Sequence, residues 1–199
     1  GGGACALRVD LTPVGPDAVA VVPPSCTAVI CGGYPFSSVK IPVYHTTLES
    51  GAASATGVKR ALIKKGKPDT TVLVLAGDGG TYDIGLQALS SAAERNEDML
   101  YICFDNEGYM NTGGQKSSST PMSAVTGSTP AGKDTRKKNM LEILAAHRIP
   151  YVATASPSAL NDLAAKVEKA KDIKATSVII HQHPVLPGWV GAENSPGTV

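Results

Sequence analysis

The 199-residue sequence is short of aromatic side chains, cysteines and net charge. Aromatics are only 5% of the chain, so its core must be filled by small and aliphatic residues in close contact. Four irregularly spaced cysteines (Cys5, Cys26, Cys31 and Cys103) exclude a secreted disulfide scaffold. They are expected as free thiols or metal ligands in a reducing cytoplasm. Eighteen basic and 17 acidic residues nearly cancel, and no cationic stripe marks a nucleic-acid or membrane-surface partner. No apolar run approaches the roughly 20 residues of a transmembrane helix. The start, Gly1-Gly2-Gly3-Ala4-Cys5, has none of the marks of a signal peptide.

What the chain does contain is a series of short β-branched runs, most with a polar or glycine-rich segment behind them. Ala18–Val22, Thr71–Leu75, Met99–Phe104, Tyr151–Ala153 and Ser177–Ile180 show no polar alternation and are predicted strands, the central ones buried on both faces. Ile41–His45 is a shorter one, which Pro42 restricts to an edge or a bulge. Helical spacing runs over 47–65, with Thr47 as its cap and Gly66 as its stop. It recurs over 82–95 and 137–147, and again after Ser156, with Pro157 as the first helical residue. Residues 1–17 begin a helix that Asp10 and Pro13 should interrupt, and 26–31 is a short apolar stretch without an assigned element. Residues 105–136 have no periodicity, and a loop of that length inside a compact fold is usually functional or disordered. This alternation predicts an α/β fold, a mostly parallel sheet with helices on both faces. With no repeat and no clean linker, residues 1–199 are expected to form one domain, incomplete at 1–17 and at the C-terminus.

Two of the strands end in chemistry. Behind the first stands Ala76-Gly77-Asp78-Gly79-Gly80, a turn whose glycines let backbone N–H groups approach a phosphate. Taken alone, it reads first as a tight turn with an Asp cap on the next helix. Behind the next strand stands Asp105-Asn106-Glu107-Gly108, one strand–helix–strand step away, so both loops can share a sheet edge. An Asp carboxylate, an Asn side-chain oxygen and backbone carbonyls are hard ligands suited to Mg²⁺ with diphosphate oxygens. Cys31 and Cys103, flanked by apolar residues, are expected in the core. His45 is either site-facing or an ordinary hydrogen-bonded histidine. His181 and His183 are expected at the surface or toward substrate, and 133–138 as a solvated basic face.

The stretch Gly77-Asp78-Gly79-Gly80-Thr81-Tyr82-Asp83-Ile84-Gly85, followed by Asn106-Glu107-Gly108-Tyr109-Met110-Asn111-Thr112-Gly113-Gly114-Gln115-Lys116-Ser117-Ser118-Ser119-Thr120-Pro121, resembles the β subunit of 2-oxoacid:ferredoxin oxidoreductases. That family includes pyruvate, oxoglutarate and oxalate enzymes. The resemblance runs from Val19 to about Trp189 and implies a thiamine diphosphate-binding fold. It implies that Asp78, the Asn106 side chain and the Gly108 carbonyl hold Mg²⁺, although the family often has Thr where Asn106 stands. Gly77, Gly79, Gly80 and Thr81 would cradle the diphosphate, Cys26 would stand near the cofactor, and Asn111 would face the reacting oxoacid. Ser117–Ser119 would be an ordered cofactor-side loop.

The implied reaction is decarboxylation of a 2-oxoacid with electrons passed to ferredoxin, in a hetero-oligomer, with coenzyme A as a candidate co-substrate. The glutamate that pairs with the aminopyrimidine would come from a partner chain, not from Glu49. Relatives also bind a [4Fe–4S] cluster through four cysteines. Cys5 and Cys26 match two of those positions. The second ligand is missing after Ala6, and Val185 stands at the fourth, in His183-Pro184-Val185-Leu186-Pro187-Gly188-Trp189. That deficit leaves two alternatives open, a non-redox thiamine diphosphate decarboxylase or lyase and a cofactor-free remnant.

Overall fold

The computed structural model describes residues 2–183; the expectations placed on 184–199, including Val185 and Trp189, lie outside them. Six strands form one sheet, and every neighbouring pair is parallel. They are β1 (Ala18–Val22), β2 (Val43–His45), β3 (Thr71–Gly77), β4 (Met99–Asp105), β5 (Tyr151–Ala155) and β6 (Thr176–Gln182), in the order β2-β1-β3-β4-β6-β5. The short, Pro42-flanked β2 is an edge strand, as expected of a segment that cannot donate at every position. The helices are α1 (Gly2–Val14), α2 (Cys26–Cys31), α3 (Gly51–Lys64), α4 (Asp78–Tyr82), α5 (Leu86–Glu94), α6 (Met140–Ala146) and α7 (Leu160–Lys171).

The two faces of the sheet carry separate cores because side chains alternate along each strand. Leu73, Leu75, Leu100 and Ile102 enter one layer, where they meet Leu7 of α1, Cys31 of α2, and Leu163 and Val167 of α7. Val72, Val74, Ala76 and Tyr101 enter the other with Ala52 and Ala55 of α3, Leu89 of α5 and Met140 of α6. Truncating one of these filled positions, such as Leu73 at 0% exposure, is expected to cost about 2–5 kcal/mol.

Several local expectations are corrected. The first helix is not interrupted. Asp10 is fully buried beside His181, with 3.3 Å between Oδ1 and Nε2, and Pro13 lies in the last turn. There the ring removes a single intrahelical bond, and Gly15, with φ +76°, ends the helix. Residues 26–31 are helical because the Ser25 hydroxyl accepts from Ala28 N at 3.2 Å and caps them. The third helix starts at Gly51 rather than Thr47, whose hydroxyl is engaged by Glu49 and Ser50. The helix expected over 82–95 begins only at Leu86, and the segment read as a glycine-rich turn carries the short α4. The two are separated by a turn through Gly85, where a Cβ would sit 1.8 Å from the Gly80 carbonyl oxygen. Ser156 and Pro157 form a turn before α7 instead of its first turn.

His181 faces neither solvent nor substrate. It is buried, edge-on to Phe104, and burial pushes its imidazole down to about 3 while pushing the Asp10 carboxyl up, so both are driven toward their neutral forms. His183 is also edge-on to Phe104, and His45 is an exposed histidine with Nε2 3.2 Å from the Gly32 carbonyl.

Candidate functional site

The chain order reverses between β1 and β3: from β1 it first adds β2 on one side and then crosses back to add β3 on the other. In an open parallel sheet, loops leaving the two sides of such a point diverge and leave a crevice at the carboxyl ends of the strands. A cavity lies there. It is lined by Cys26 after β1, Leu48 after β2, Gly77–Gly80 after β3 and Asn106, Gly108 and Asn111 after β4. Two loops that the sequence placed at one sheet edge are therefore brought together, and the α2 start joins them.

The centre of the crevice is an oxygen cluster. Asp78 is the first residue of α4 and 2% exposed. One side-chain atom of the Asn106 amide lies 2.8 Å from the Gly108 carbonyl oxygen and 3.0 Å from Asp78 Oδ1. With nitrogen in that place the amide donates to both. With oxygen there, Nδ2 instead donates to Cys26 Sγ at 3.3 Å, and the amide oxygen faces the Gly108 and Asp78 oxygens. Oxygens on adjacent corners of an octahedron with roughly 2.1 Å metal–oxygen bonds stand about 3.0 Å apart, so these two separations suit a small hard divalent cation. Among the described residues no group of three His, Cys, Asp or Glu side chains offers a metal site. The donors here are one carboxylate, one amide and one carbonyl, a set suited to a hard ion with open positions.

The local backbone is built to aim these groups. Glu107, between two of them, is held at φ +65°, a left-handed conformation that costs a non-glycine residue roughly 1–2 kcal/mol. Its N–H donates to Asp105 Oδ1 at 3.1 Å, its carbonyl accepts from the Thr120 hydroxyl at 2.6 Å, and its carboxylate meets Lys137 Nζ at 2.8 Å. Those contacts overdetermine the turn. They leave the Asn106 side chain and the Gly108 carbonyl on one spot.

Electrostatics set Asp78 apart. Burial, with the charges of Asp105 and Asp83 nearby, pushes its carboxyl up to about 7, against the opposing pull of the Ser117 hydroxyl, which donates to Oδ2. A buried carboxylate with this little compensation gains most from a cation.

Gly79 and Gly80 offer open backbone at the crevice, but Gly79 has a second reason to lack a side chain. A Cβ there would lie 2.2 Å from the Tyr109 ring, whose hydroxyl donates to Asp83 Oδ2 at 2.8 Å. Asn111 is exposed at the rim. Thr81 departs from expectation. Its side chain turns into the core, donating to the Gly77 carbonyl at 2.7 Å and lying 3.0 Å from the Tyr101 hydroxyl, and the residue is fully buried behind the crevice lining.

The basic run over 133–138 is likewise not a solvated face. Lys133 is buried and donates to the Thr120 carbonyl at 2.6 Å, and Lys137 pairs with Asp105 at 3.0 Å. Sequence reasoning missed Asp105, Tyr109 and Lys137 as supports of the site, and named Ser117 only as part of an ordered cofactor-side loop. Of the three missed, Asp105 alone carried a signal, as the last residue of a buried strand. The four thiols do not assemble one ligand set. Cys5 is exposed on α1 and Cys26 lines the crevice, while Cys31 and Cys103 are fully buried in opposite core layers. A four-thiolate cluster does not fit this chain.

Residues 28–181 match the family described as "Thiamine pyrophosphate enzyme, C-terminal TPP binding domain". The chain is 48% identical over 193 residues to the pyruvate synthase subunit PorB of Methanothermobacter thermautotrophicus, covering 94% of this chain and 67% of the relative. It is 43% identical over 198 residues to the ketoisovalerate oxidoreductase subunit VorB of Pyrococcus abyssi, covering 94% of this chain and 64% of the relative. Among solved structures, a 2-oxoglutarate:ferredoxin oxidoreductase from Magnetococcus marinus shares the fold with a TM-score of 0.82 at 23% identity, over 97% of this chain and 64% of that one. The chain thus spans about two thirds of the length of these proteins.

Proposed function

We propose a function from one premise: this chain belongs to the thiamine pyrophosphate-binding β subunits of the 2-oxoacid:ferredoxin oxidoreductases. In this reading residues 1–199 are one cofactor-binding unit of a multi-subunit enzyme that decarboxylates a small 2-oxoacid oxidatively. Ferredoxin accepts the electrons, and coenzyme A accepts the acyl group. The relatives named for pyruvate and ketoisovalerate make those two acids the first substrates to test.

The observation that carries the reading is the convergence of the Asp78 carboxylate, the Asn106 amide and the Gly108 carbonyl in the strand-end crevice, the inward amide atom lying 2.8 Å from the Gly108 oxygen and 3.0 Å from Asp78 Oδ1. These three groups would hold Mg²⁺, and the backbone of Gly77, Gly79 and Gly80 would hold the diphosphate. Thiamine diphosphate supplies a nucleophilic carbon and an electron sink for the decarboxylation. This chain's residues do the rest of the local work. Asn106 turns its amide oxygen inward and its nitrogen to Cys26, Leu48 and Met110 help keep water out, and Asn111 orients the oxoacid carbonyl from the rim.

Calorimetry on the full-length assembled protein with thiamine diphosphate and Mg²⁺ tests the site. Tight, Mg²⁺-dependent binding that Asp78→Ala abolishes is the expected result; equal affinity in the variant refutes it. The shortage of usable thiols favours a second reading, a lyase that decarboxylates without electron transfer. Oxoacid-dependent reduction of ferredoxin decides between them, since CO₂ release without reduction supports the lyase.

A further inference from the structure

Beside the Asp78–Ser117 contact lies a second cavity of about 430 Å³, lined by Ser117 and by charged and hydroxyl residues. Its walls come from two parts of the long loop, Lys116 with Ser118 on one side and Lys133 with Arg136 and Lys138 on the other, with Asp83 at its edge. Four cations thus face one carboxylate. That carboxylate is already engaged, accepting from Ser118 N at 3.2 Å and from the Tyr109 hydroxyl. Among the described residues, the loop's ion pairs with carboxylates are made by Lys137, which points the other way, to Asp105 and Glu107. Lys133 and Lys138 are fixed by the carbonyls of Thr120 and Tyr82, dipoles that position an ammonium without cancelling its charge.

We propose that this cavity is an anion site that takes a phosphoryl group, distinct from the diphosphate crevice. Lys116 and Arg136 are exposed and supply mobile, direct contacts at the mouth, Arg136 with the planar fork that suits phosphate oxygens. Lys133 forms the floor. Burial and the neighbouring Lys116 both hold its ammonium below its usual range, with Asp83 and the exposed Asp134 partly opposing. An incoming anion relieves that repulsion, so the site gains from filling what the fold leaves unbalanced. The wall residue Ser118 adjoins Ser117, which holds Asp78, so occupancy of this cavity abuts the cofactor crevice through one residue.

The test uses the full-length assembled protein saturated with thiamine diphosphate and Mg²⁺, so that the crevice is not available to the probe. Inorganic phosphate, pyrophosphate and ADP are titrated calorimetrically at constant ionic strength. At least one probe binds, and the Lys116→Gln/Arg136→Gln double variant weakens it about tenfold or more, while Lys116→Arg restores most of the affinity. Preference for ADP over the inorganic ions assigns a phosphoryl group carried on a larger molecule; equal or weaker ADP binding assigns a free oxyanion. Binding by the double variant as tight as wild type, or no binding of any probe by wild type, overturns the proposal. Because both substituted side chains are exposed, an unchanged melting temperature separates loss of the site from loss of fold.

Discussion

Asp78 and Asp105 stand at the ends of adjacent strands, both buried, in opposite circumstances. Asp105 receives the Tyr82 hydroxyl at 3.0 Å, the Ser119 hydroxyl at 2.5 Å, the Glu107 N–H at 3.1 Å and the Lys137 ammonium at 3.0 Å. Its charge is met inside the protein. Asp78 receives one side-chain hydroxyl, from Ser117, and its carboxyl is pushed up to about 7. The same residue type, at equivalent places in the sheet, is a structural anion in one case and an unmet one in the other. What separates them is Lys137 together with two further donors to Asp105. An acid whose partner is covalently part of the chain holds a loop, and an acid left short of partners is available to a cation from outside.

That contrast can be broken from either end. The largest effect is expected from Lys137→Met, which leaves Asp105 buried without its counter-ion. Loss of roughly 3–5 kcal/mol in a denaturant titration is expected, and a loss below about 1 kcal/mol would mean that Asp105 is not held by charge. Asp78→Ala should do the reverse. Calorimetry should show Mg²⁺-dependent cofactor affinity falling by more than about 100-fold, while the melting temperature holds or rises because an under-compensated buried acid has gone.

The pH dependence follows from the same asymmetry. With its pKa raised from 3.8 to about 7, folded metal-free Asp78 carries a proton that the unfolded chain has lost over that interval. Its contribution to stability is therefore fully present below about pH 4 and is lost as pH rises through 7. Cation binding must displace the same proton. Below pH 7, Mg²⁺ affinity should fall about tenfold per pH unit, roughly 1.4 kcal/mol, and Asp78→Asn should weaken binding and flatten that slope. The smallest effect belongs to Ser117→Ala. Without the hydroxyl, about 1 kcal/mol of stability should go, and the Mg²⁺ titration midpoint should move to higher pH, since that hydrogen bond lowers the Asp78 pKa.

The fold was legible where burial is uniform along a strand. Thr71–Leu75 and Met99–Phe104 read as strands with no alternation because both faces are covered, and they are the middle of the sheet. The ends of elements were less legible. Ser25 caps a six-residue helix too short for periodicity to show, and α5 starts only at Leu86 because Gly85 packs on the Gly80 backbone, which no local propensity encodes. For the same reason the helix through Asp10 and Pro13 looked broken. Asp10 is buried against His181, far along the chain, 3.3 Å away and without a hydrogen bond to it.

The candidate site divides along the same line. Asp78, Asn106 and Gly108 could be named from residue type and position, because hard oxygen donors behind buried strands of a parallel sheet converge wherever the strand order reverses. Their supports could not. Lys133 and Lys137 sit in a basic, polar stretch indistinguishable from a solvated surface, and Thr81 looks like any hydroxyl beside a phosphate turn. Sequence by itself determined the alternation of elements, the two strand-end loops and the chemical type of their donors, since these depend on side-chain pattern over a few residues. Only the tertiary structure decided which of two neighbouring aspartates is neutralised. That outcome depends on where a lysine 32 positions away returns to the sheet, a matter of chain path rather than of composition.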